Sequence, residues 1–131
     1  MTQVTVYINR RARVMGYAAI GHTLYAQEGE DIVCASVSTL TQSTVNALYQ
    51  VARVTPRVLR KPGLLIVRIA KTSGMRWHDS QVLLQAFVRN TAQLAEQFPE
   101  YVRLRFKIDE SYQSDKSEDK RRKEVKYGHA H

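Results

Sequence analysis

Cysteine is nearly absent from this chain, and a single one, Cys34, excludes any internal disulfide framework. The four histidines, His22, His78, His129 and His131, are spaced unlike zinc ligands, so neither a metal nor a cofactor is expected. No apolar run approaches the length of a membrane span, and no basic stretch followed by an apolar one opens the chain. With one unpaired thiol, the expectation is a protein of the reducing cytoplasm with no membrane partner. Acids are scarce as well: 12 Asp and Glu stand against 20 Lys and Arg, a net charge of +8.

The excess sits mainly in the body, where residues 1–110 carry 14 bases and 8 acids, while residues 111–131 carry 6 and 4. Such a balance favours contact with RNA or a ribosomal surface, although many soluble proteins are basic without binding nucleic acid. At 131 residues and 44% apolar content, the chain suits one domain with a modest core over 1–110. A polar, charged tail over 111–131 is expected to be disordered.

Hydrophobic period sorts the body into alternating elements. Val4 to Ile8 alternates and is rich in β-formers, and a basic turn over Asn9 to Arg13 leads to a second strand at Met15 to Ile20. Ile32 to Val51 reads as a helix with an apolar stripe of Val33, Val37, Leu40, Leu48 and Val51. Val54 to Arg60 is extended, and Lys61-Pro62-Gly63 turns into Leu64 to Ile69, the strongest strand pattern and a candidate for the sheet centre. Asp79 or Ser80 can cap a second helix over Gln81 to Gln97, closed by Pro99, with Trp77 either a loop residue packed over its start or part of a binding patch with Met75 and His78. Tyr101 to Ile108 then alternates apolar with basic, its basic side either a solvated face or an RNA contact. The expected class is α+β, with two helices packed on a largely antiparallel sheet in the order β-β-α-β-β-α-β.

Between the second strand and the first helix lies the stretch that carries chemistry, Gly21 to Ser38. A short loop over 23–30 brings His22 toward Cys34, the layout that a thiol nucleophile and its base require. Thiols are activated near helix N-termini and beside an imidazolium, and unpaired N–H groups at a helix start can hold an oxyanion. Asp31 reads as the helix N-cap or as an orienting partner for His22. Cys34 falls off the apolar stripe together with Asp31 and Ser38, and Ser38 either meets substrate or bonds back to the Cys34 carbonyl. Gly21 allows either close backbone approach to a substrate or a simple bend. Leu24 and Tyr25 either contact substrate or pack the loop. The competing reading makes Cys34 a small buried hydrophobe and His22 a strand-end residue bonded to a loop carbonyl.

Gly21-His22-Thr23, followed by Gly29-x-Asp31-Ile32-Val33-Cys34-Ala35-x-Val37-Ser38, resembles the signature of the ribosomal-processing cysteine proteases, the Prp family. Thr44 to Leu48, Gly63 to Ile69 and Leu94 to Tyr101 add to the likeness, which spans about residues 3 to 110; Thr23 replaces an expected alanine. The resemblance implies that His22 and Cys34 are the catalytic pair and that the chain forms a homodimer. It also implies a substrate, the precursor of the twenty-seventh large-subunit ribosomal protein, which carries a short N-terminal extension that is cut off. A non-catalytic, ribosome-associated RNA-binding protein, using the basic strand face, is the rival class.

Overall fold

The computed structural model describes residues 1–21 and 30–109, and in it the elements follow the expected α+β order. They are β1 (Thr2–Ile8), β2 (Val14–Ile20), α1 (Glu30–Gln50), β3 (Arg57–Lys61), β4 (Leu64–Arg68), α2 (Gly74–Gln97) and β5 (Val102–Ile108). The strands form one sheet in the order β3-β4-β2-β1-β5. Every pairing is antiparallel except β1 with β5, which is parallel and therefore needs the long return through α2. β2 occupies the centre, so the expectation of a central β4 is corrected by one position. The apolar run of β4 reflects an interior strand flanked on both sides by β2 and β3.

Both helices cover the same face of the sheet, and the core lies between. Val4, Val6, Tyr17, Val67 and Val102 point into it from the strands, and Val33, Val37, Leu48, Leu84 and Phe87 meet them from the helices. The Tyr17 ring stacks on Phe87 with centroids 4.1 Å apart, and its hydroxyl donates to the Thr41 carbonyl at 2.8 Å. One side chain thus ties the central strand to both helices. Burial pushes the Tyr17 phenol well above its ordinary pKa, and the Thr44 hydroxyl and the Arg60 charge only partly oppose it.

Two helix expectations are corrected. α2 begins at Gly74, seven residues before Gln81, with Ser73 at the N-cap position; Asp79 and Ser80 lie inside the helix. Ser80 can be buried there because its hydroxyl donates to the Trp77 carbonyl at 2.8 Å, a bond that no periodicity of apolar residues announces. Trp77 is accordingly helical, half-buried against the core, while Met75 and His78 face solvent. In the same way, the buried stripe of α1 runs through Val33, Cys34, Val37, Thr41, Thr44 and Leu48, not through Val51, which is 62% exposed. Thr41 and Thr44 enter the core because each satisfies its hydroxyl on its own helix, at the Ser38 and Leu40 carbonyls.

A further clamp joins α2 to the entrance of β2. Gln81 accepts from the Val14 N–H at 2.9 Å and donates to the Val14 carbonyl at 2.8 Å, beside the irregular register at Tyr7 and Ile8. That amide replaces the ladder partners which the bulge takes away. On β5 Val102 is buried; Phe106 lies on the same side but is 55% exposed at the sheet edge, although its register partner Val6 is fully buried.

Candidate functional site

Cys34 sits on the covered side of α1, near its start, with 6% of its surface exposed. That exposure opens onto a pocket of about 180 Å³ between α1, the end of β2 and the β3–β4 hairpin. Thr2 and Val37 flank the thiol, Ser38 and Thr41 continue along the helix, and Arg60 and Lys61 stand at the hairpin rim. Thr2 Oγ1 lies 3.8 Å from Cys34 Sγ, a buried contact in which either atom can donate. Cys34 is therefore on the buried stripe, which corrects the expectation that it lies off it: the two threonines rotate the core-facing side of α1 toward the cysteine.

Helix α1 starts at Glu30, so Asp31 is its second residue and not the N-cap; the Asp31 side chain lies outside what the structure describes. Starting there, the helix gives the Cys34 N–H an intrahelical acceptor, which shifts the unpaired donors to the turn before it. Ser38 is exposed and lines the pocket one turn beyond Cys34. Its hydroxyl makes no bond to the Cys34 carbonyl, whereas Ser36 does bond back, to Ile32 at 2.9 Å.

Gly21 closes β2 with a positive φ of 105°, and a Cβ there would meet the Met1 carbonyl oxygen at 2.2 Å. Its N–H donates to the Gly63 carbonyl at 3.1 Å. The glycine is thus required by the approach of Met1, and the structure ties it to the residue preceding Thr2, the partner of Cys34. His22, Leu24, Tyr25 and the rest of the expected loop as far as Gly29 fall outside the described residues, as does the tail over 111–131, while Glu30, expected in that loop, opens α1.

Sequence reasoning missed Thr2, Gln42, Arg60 and Lys61 as neighbours of the site. Arg60 is held at the rim by a 3.1 Å bond to Gln42 Oε1, a contact between residues 18 apart. Gln42 lies on α1 about two turns beyond Cys34, whereas nothing local marks the other three: the packing of α1 on β1 brings Thr2 to the thiol, and the β3–β4 hairpin brings Arg60 and Lys61. Among the described residues no group of three or more His, Cys, Asp and Glu could hold a metal ion, and no helix is long and apolar enough to cross a membrane.

Comparison with known proteins adds identity to this geometry. The model of the family described as cysteine protease Prp matches residues 1–103. A ribosomal processing cysteine protease Prp of Staphylococcus aureus is 26% identical over 109 residues, covering 82% of this chain and all of the relative. Among solved structures, SMU.848 of Streptococcus mutans shares the fold with a TM-score of 0.75 and 28% identity, covering 83% of this chain and 99% of that one. The S. aureus ribosomal processing protease Prp, in complex with a covalently linked product peptide, has a TM-score of 0.71 and 25% identity, over 82% of this chain and all of that chain.

Proposed function

Because this chain belongs to the Prp family of cysteine proteases, we propose that it cuts the N-terminal extension from the precursor of the twenty-seventh large-subunit ribosomal protein, using Cys34 as nucleophile and His22 as base and acid. The observation that carries this reading is the placement of Cys34, the chain's single thiol, on the wall of a pocket beside the strand end that leads into His22. Family membership sets aside the non-catalytic alternative.

In the proposed reaction Sγ attacks the scissile carbonyl carbon while His22 takes the thiol proton. The same imidazole returns that proton to the leaving amine as the C–N bond breaks, and water then hydrolyses the thioester. Backbone N–H groups near the start of α1 would hold the oxyanion. Thr2, packed on the sulfur, fixes the thiol's rotamer, and Asp31 remains the candidate third member of the site. The S. aureus relative with a covalently linked product peptide supports covalent chemistry in the family. The reading extends to a cytoplasmic homodimer whose protease domain is 1–110, with 111–131 as an appended tail and Leu24 and Tyr25 on the substrate loop.

The test is mass spectrometry of a peptide spanning the extension junction, incubated with the protein and with Cys34→Ala and His22→Ala. Cleavage at one bond by the parent, lost in both variants, is the expected result. If the parent leaves both this peptide and the full-length precursor intact, the assignment of substrate and catalytic pair fails. Light scattering on the same preparation reads the dimer.

A further inference from the structure

The sheet face that carries no helix has its own pattern, which register makes explicit. Three rows cross the five strands: Lys61-Leu64-Ile20-Gln3-Arg103, Leu59-Ile66-Ala18-Thr5-Arg105 and Arg57-Arg68-Gly16-Tyr7-Lys107. The β5 column is wholly basic and the β3 column carries Lys61 and Arg57 around Leu59; between them the positions are small, apolar or uncharged polar except Arg68. No position in these rows holds an acid. In the third row Gly16 admits the β4 backbone, since a Cβ there would meet the Val67 carbonyl oxygen at 2.2 Å, and beside it the Arg68 guanidinium lies 4.4 Å from the centre of the Tyr7 ring and also pairs with Asp109.

The β5 column is the sharpest part. Arg103, Arg105 and Lys107 are exposed, and among the described residues none has an acidic partner. Alternate residues on a strand stand about 6.7 Å apart, so the three cations form an evenly spaced line along an edge. Beside them, β1 offers Gln3, Thr5 and Tyr7, donors and acceptors in register with each cation. The arrangement is not the requirement of a core, because the buried alternate positions of both strands lie on the other face.

We propose that this helix-free face, centred on Arg103, Arg105 and Lys107, is an RNA-docking surface that engages the phosphate backbone of structured RNA. The choice of RNA among polyanions rests on the proposed ribosomal substrate; the anionic, repeating character of the partner rests on the rows themselves. Evenly spaced, unpaired cations suit successive phosphates, and a sheet surface presenting side chains in rows is a known kind of platform for RNA. A second copy of this chain is a poorer occupant, since like faces would oppose basic residues, and the acid that reaches this face among the described residues, Asp109, is already engaged by Arg68. The Cys34 pocket lies toward the β3–β4 edge of the sheet, where it takes in Ile20, Leu64 and Lys61 of the first row, while the β5 cations line the opposite edge, so RNA and peptide can be held together. Docking would thereby bring the protease to a nascent ribosomal particle.

The test uses the full chain and a fluorescein-labelled RNA hairpin of about 20 nucleotides, titrated by anisotropy at several salt concentrations. The variant carries Arg103→Thr, Arg105→Thr and Lys107→Thr, which keep β-propensity on an edge strand; a control removes the same charge on another surface through Lys71→Ala, Arg76→Ala and Arg89→Ala. The parent should bind with a steep salt dependence, and the β5 variant should bind at least about tenfold more weakly with a log–log slope shallower by about 2. The α2-side control should stay within about twofold of the parent. Absence of binding by the parent overturns the proposal, as does equal loss in the control or unchanged affinity in the β5 variant. A β5 variant that changes oligomeric state on light scattering assigns the face to self-association and also overturns it. Junction-peptide cleavage, read separately, should be unchanged in the β5 variant, so that failure of the protease reading and failure of RNA docking are told apart.

Discussion

Helices α1 and α2 lie on the same sheet face, and both bury hydroxylated residues, but they differ in the bulk that they bring to the core opposite the pocket. α2 presses Leu84 and Phe87 into the sheet and closes its buried Ser80 and Thr91 on its own carbonyls. α1 presents Val33, Cys34, Val37, Thr41 and Thr44, small or hydroxylated groups, and beside its first half the packing gives way to the pocket at Cys34. A helix that fills the core completely leaves no room for a peptide; one that fills it with short side chains leaves a cleft. The filled core and the wall of the Cys34 pocket are thus divided between two helices of similar length.

The largest effect should separate them by chemistry. Cys34→Ser should lower junction-peptide cleavage by about 10⁴-fold or more while changing stability by less than about 1 kcal/mol. Turnover by mass spectrometry and a urea melt check both halves; a variant that unfolds would make α1 core like α2 and erase the comparison. The reverse pattern is expected at Leu84→Ala, which should cost about 2–5 kcal/mol in urea unfolding yet leave the cleavage rate of the folded fraction unchanged.

A smaller effect tests the link between the two helices. Folded Tyr17 holds its proton to higher pH than the unfolded chain, whose phenol titrates near 10.0. Its stabilisation is therefore complete below about pH 10 and is lost as pH rises from there through the higher folded value. Tyr17→Phe should remove this alkaline loss and cost about 1 kcal/mol at neutral pH through the missing bond to Thr41, both read from urea melts across pH. The smallest change sharpens the position of the stripe: Val51→Ser should shift stability by no more than about 0.5 kcal/mol, whereas a core position would give several times that.

Much of this was legible in the residues. β1 and β5 alternate cleanly, β4 has an unbroken apolar run, and Pro99 follows the end of α2, so element order and class could be read directly. The start of α2 could not, because Gly74 to Ser80 lacks an apolar repeat and its buried serine is held by a bond internal to the helix. The face of α1 was misjudged for the same reason: a threonine counts as polar in a sequence, yet Thr41 and Thr44 satisfy themselves and go inside. At the site, Cys34 stood out by its rarity and its motif, but Thr2 and Arg60 carried no local mark.

Periodicity, rarity and motif are properties of neighbouring residues, and by themselves they determined the order of strands and helices, the family and the single thiol proposed as nucleophile. Which face of α1 turns inward, which cations line the Cys34 pocket and how the basic residues assemble into rows on the bare face were decided only by tertiary structure. These depend on strand register and on hydrogen bonds that allow polar groups into the core, and both arise between parts of the chain that are far apart until it folds.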